Sequence, residues 1–67
     1  MTLDKIKYHL GSNVFTFITK EATKQQLDNC KKMVESDISI LPEGEPIKFL
    51  RLVELKLINY MLTGILN

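Results

Sequence analysis

The sequence predicts a small α+β domain: an N-terminal β-hairpin at about residues 5–10 and 14–19, a helix at about 20–36, a short extended segment at 38–41 and a long C-terminal helix at about 46–63. Three observations carry the prediction. Residues 5–10 alternate polar and apolar side chains, and residues 14–19 read Val-Phe-Thr-Phe-Ile-Thr, β-branched or aromatic throughout. From Lys20 onwards the apolar residues recur at helical rather than alternating spacing. At 67 residues the chain makes a single domain, residues 1–67.

In the hairpin, Ile6, Tyr8 and Leu10 share one face, and Gly11-Ser12-Asn13 supplies the turn. The same letters also fit a mostly α-helical chain with one short strand. In that alternative Thr2 caps a helix that carries Leu3, Ile6 and Leu10 on one side and stops at Gly11. Between Lys20 and Ser36, Leu27, Cys30 and Val34 recur with Ala22 and Met33 beside them. Lys24 with Asp28, Asp28 with Lys32, and Lys31 with Glu35 place opposite charges one turn apart on the other side, an ordinary solvated face. Ser36-Asp37 interrupts the pattern, Ile38 to Leu41 reads as extended, and Pro42 to Glu45 is a turn-rich connection.

The C-terminal helix is the stretch around which the rest is organised. Pro46 suits its first position, where no N–H is needed. Gly64 suits a left-handed cap with Ile65 folded back towards Tyr60, or else stays helical and lets another backbone approach. At about 100° per residue, Phe49, Leu50, Val53, Leu57, Tyr60 and Met61 form a core-facing stripe. Leu52, Leu55, Leu62 and Leu66 fall on the far side among Lys48, Arg51, Lys56 and Asn59, while Ile47, Ile58 and Ile65 fill a flank. A helix this apolar all round is covered on more than one side.

A chain of this size buries only ~60% of its unfolded surface and needs reinforcement. Cys30 is the lone cysteine and His9 the lone histidine, so neither an internal disulfide nor a four-ligand zinc site is available. Oligomerisation or a partner protein is the remaining remedy, and it agrees with the two-sided helix. Nine Lys plus Arg against eight Asp plus Glu exert no general pull on nucleic acid or anionic membrane. Charges at Asp4, Lys5 and Lys7 break any apolar signal segment, and Arg51, Glu54, Lys56 and Asn59 interrupt any membrane span. A cytoplasmic location is the expectation, in keeping with a single thiol.

No catalytic, cofactor-binding or metal-binding set emerges. His9 lies with Lys5 and Lys7 on the polar side of the predicted hairpin, Cys30 lies in the apolar stripe of its helix, and the carboxylates are scattered. The sequence therefore points to a non-catalytic protein–protein interaction module, a small regulator or inhibitor acting through the apolar surface of its C-terminal helix. Its partner is itself, as a homodimer, or another protein. Leu52, Leu55, Leu62 and Leu66 are the expected contact residues. Glu54 at the stripe's edge pairs with Arg51 within the helix or with a cation across an interface.

A second reading follows from the order strand, helix, helix, which resembles the ribbon-helix-helix repressors and implies a dimer inserting a two-stranded ribbon into the major groove. The strand at 14–19 carries Thr16 and Thr19 as its only polar residues, and Lys5, Lys7 and His9 make only a short basic stripe, so nucleic acid is the weaker partner. A membrane-surface helix is weaker still, since Glu54 opposes the cations Lys48, Arg51 and Lys56.

Overall fold

The computed structural model describes residues 1–66, and most of those residues are helical. Helix α1 spans Leu3–Leu10 and α2 spans Ser12–Thr16, which runs on into a π-helical turn at Phe17–Glu21. Helix α3 spans Lys24–Ile40 and α4 spans Pro46–Thr63. Among the described residues there is no strand, so the predicted α+β class, its hairpin at 5–10 and 14–19 and its extended segment at 38–41 are all corrected. The mostly helical alternative fails on its one strand, while its helix capped by Thr2 and stopped at Gly11 is present. Without a ribbon, the route to the major groove loses the element it depends on.

Burial explains why period 3.6 wins at the N-terminus. Ile6 is fully buried, with Leu3 and Leu10 packed beside it, while Tyr8, which a strand would place on the same face, is 85% exposed. Thr2 caps the helix, its Oγ1 accepting from the Lys5 N–H at 3.3 Å. Gly11 then turns the chain at φ 88° and ψ 157°, a conformation open only to glycine, and α2 starts at once. In the following segment Phe15, Ile18 and Ala22 face the core at helical steps and Val14 and Phe17 are exposed. The Thr19 hydroxyl donates to the Phe15 carbonyl at 2.7 Å, and the Ala22 N–H donates to the Phe17 carbonyl at 2.8 Å, five residues back. Side-chain competition for a backbone acceptor is a common companion of such a widened turn.

The start of α3 is fixed by a reciprocal cap. Thr23 Oγ1 accepts from the Gln26 N–H at 3.1 Å, and Gln26 Oε1 accepts from the Thr23 N–H at 2.8 Å. The helix does not stop at Ser36-Asp37 as predicted but continues to Ile40, because Ile38 extends the buried row of Leu27 and Val34 by one more turn. Helix α4 keeps its predicted bounds. Pro46 opens it and Gly64, at φ 77° and ψ 6°, closes it in the left-handed conformation, donating its N–H to the Tyr60 carbonyl at 2.7 Å. Ile65 remains 61% exposed.

Helix α4 is the centre of the packing. Its most extensive contact is with α3, followed by α1 and the π-helical turn, while α2 leans on α1 and on that turn. Among the described residues the core consists of Ile6, Ile18, Leu27, Val34, Val53, Leu57 and Ile58, with three of the seven coming from α4. No helix is long and apolar enough to cross a membrane among the described residues.

Candidate interaction surface

Helices α1 and α3 and the π-helical turn leave α4 partly uncovered, and the residues on its free side define the candidate surface. Glu45, just before the helix, and Phe49, Leu52 and Lys56 within it are all exposed, and at about 100° per residue they lie on one side. Phe49 and Leu52 keep 45% and 44% of their surface in contact with solvent. Phe49 does not stand alone. Its ring meets His9 edge to face, with centroids 5.0 Å apart, and His9 meets Tyr8 in the same way at 5.5 Å. The end of α1 and the first half of α4 thus share a row of three rings, Tyr8, His9 and Phe49, with Leu52 one turn further along.

The residues predicted from sequence divide in two. Leu52 is exposed as the contact reading requires, whereas Leu55, Leu62 and Leu66 are half-buried and pack against the core. Of the expected core stripe, Val53 and Leu57 are buried and Leu50 and Tyr60 half-buried, but Phe49 and Met61 are exposed. Ile58, placed on a flank by the helical wheel, is 1% exposed and central to the core. The buried side of α4 is therefore rotated towards Ile58, and the free side centres on Leu52.

Arg51 and Glu54 pair within the chain. The Arg51 guanidinium donates from Nη1 to Glu54 Oε1 and from Nε to Asp37 Oδ2, the latter at 3.2 Å. Asp37 lies on α3, so Arg51 clamps α3 to α4, a partner fourteen residues away that helical spacing could not reveal. Beside the clamp, Cys30, Met33, Val34, Asp37, Arg51 and Glu54 line an open groove of about 180 Å³. A second groove of about 210 Å³ lies between the Glu43–Pro46 turn and Phe49 and Leu52, where Lys48 Nζ donates to Glu43 Oε1 at 2.5 Å. Both are smaller than the ~300 Å³ at which small-molecule pockets begin. A depression of about 510 Å³ runs along the polar side of α3 and is lined by Gln25, Asp28, Asn29, Lys31, Lys32 and Glu35.

The chemistry on offer is apolar contact. His9 is held between aromatic rings, Cys30 is half-buried against the core, and no three metal-ligating side chains gather in one place among the described residues. Tyr8 and His9 are the part of the surface that sequence reasoning missed, because the hairpin reading gave Tyr8 to the core and His9 to a charged face. No family model matches the chain, and neither the curated proteins nor the solved structures contain a significant match to it.

Proposed function

We propose that this protein is a non-catalytic interaction module, a small regulator or inhibitor acting in the cytoplasm by presenting the free side of α4 to another polypeptide. One observation carries the reading: Tyr8 and Phe49 are large, exposed and joined through the ring contacts of His9, and the exposed Leu52 lines one groove with Phe49 on the element that organises the fold. Scattered apolar residues are normal on a protein surface, but a contiguous aromatic and aliphatic group is the usual centre of a protein contact. Leu52 is the anchor. Leu55, Leu62 and Leu66 pack against the core, and the Asp37–Arg51–Glu54 clamp holds α4 in place against α3.

Photo-crosslinking in cells tests this reading. A photoreactive side chain at position 52 is expected to form a discrete adduct with a protein, its own copy or another, and Phe49→Asp is expected to abolish that adduct while circular dichroism stays unchanged. The same probe at position 32, on the polar side of α3, is expected to give none. Equal labelling from both positions, or an adduct indifferent to Phe49→Asp, contradicts the reading.

A further inference from the structure

Resting on the reading of α4 as a docking surface, we propose that its occupant is a second copy of this chain, laid antiparallel along α4 about a two-fold axis passing beside residues 50 and 51. Glu45, Phe49, Leu52 and Lys56 succeed one another at steps of four, three and four residues. Alternating steps of three and four are the spacing of a helix–helix seam. All four side chains are exposed, so the seam faces outwards from the fold.

The order of residues along that seam selects the partner and its direction. A two-fold axis midway between positions 50 and 51 brings Phe49 against the partner's Leu52 and Glu45 against the partner's Lys56. Each contact then occurs twice, as an isologous interface requires. The centre is apolar and each end joins opposite charges. A parallel pairing in the same register sets Glu45 against the partner's Glu45 and Lys56 against the partner's Lys56, which is repulsive at both ends. Lys56 is also engaged within its own chain, and an ammonium with three donors serves a second acceptor without leaving the first. Tyr8 and His9 extend the apolar surface beyond Phe49 through their ring contacts.

Eleven residues separate Glu45 from Lys56, so the seam is only about 16 Å long at ~1.5 Å per residue. One such helix pair falls short of the ~800 Å² per partner of a stable complex, and the dimer is accordingly weak and governed by concentration.

Sedimentation equilibrium from about 10 μM to about 1 mM, the range in which a small interface fills, provides the test. The wild-type mass is expected to rise from 7.7 kDa towards twice that value. Glu45→Lys alone and Lys56→Glu alone each turn two attractions into two repulsions, and each is expected to weaken association about tenfold. An equal mixture of the two variants is expected to associate at least as well as wild type, because every end contact in the mixed dimer joins Lys to Glu. A mixture no tighter than either variant alone overturns the antiparallel register. A wild-type mass that stays at 7.7 kDa overturns the second copy as occupant. In that event an adduct from position 52 to a different protein leaves the docking reading standing, and the absence of any adduct removes both.

Discussion

Ile58 keeps 1% of its surface exposed and Phe49, nine residues earlier on the same helix, keeps 45%. The difference sets what each side chain contributes. Truncating a fully buried aliphatic chain loses its transfer free energy and leaves a cavity, so Ile58→Ala is expected to cost about 2–5 kcal/mol in urea unfolding. Phe49 has only its inner edge and the His9 contact to lose, and Phe49→Ala is expected to cost less than about 1.5 kcal/mol. Equal costs would place Phe49 in the core and contradict the surface drawn here. A helical wheel could not order this pair. Apolar residues surround α4 on every side, so periodicity shows that the helix is heavily covered without showing which arc faces inwards. What decides the arc is where α1 and α3 pack, and that depends on contacts far apart in the chain.

At the scale of elements, α4 is legible, and so is α1 in the alternative reading that caps a helix at Thr2 and stops it at Gly11, whereas residues 12–21 are not. Pro46 and Gly64 mark the ends of α4 by backbone chemistry that acts locally, and the structure uses both. Residues 14–19 mislead because β-branched and aromatic side chains favour strands only weakly, by a few tenths of a kcal/mol per residue against a helix. An isolated two-stranded hairpin is marginal in water, and no third strand is available to it here. Helical steps instead let Ile6, Phe15 and Ile18 join the core that α4 provides. Helix α3 is half legible: Leu27, Cys30 and Val34 do turn inwards, but Met33 is exposed, the helix begins at Lys24 and not at Lys20, and Ser36-Asp37 does not stop it. The true start signal of α3 is the Thr23–Gln26 box, which satisfies two backbone N–H donors at once. Thr23→Ala is expected to destabilise the protein by about 1 kcal/mol, read as a lower urea midpoint with an unchanged slope. No loss would mean that α3 is held by packing alone.

On the scale of the whole molecule, the radius of gyration of 11.3 Å is close to the ~10.9 Å expected for a compact chain of this length. Its accessible surface of 4654 Å² exceeds the ~4,300 Å² expected from mass, and Tyr8, Phe49 and Leu52 are part of what is left uncovered. Among the described residues only seven are buried in the core, and a weak pairing along the free side of α4 covers Phe49 and Leu52 without disturbing that core. The seam at positions 45, 49, 52 and 56 was present in the sequence throughout. It could be singled out only once the structure showed which side of α4 stays free. The central claim is that a second copy occupies that side, and a dilution series of two-dimensional ¹H–¹⁵N spectra tests it residue by residue. The account predicts concentration-dependent shifts at residues 45–56 of α4 and at Tyr8 and His9, with α3 from Gln25 to Glu35 unmoved. Spectra that do not change with concentration, or shifts centred on the polar side of α3, would contradict it.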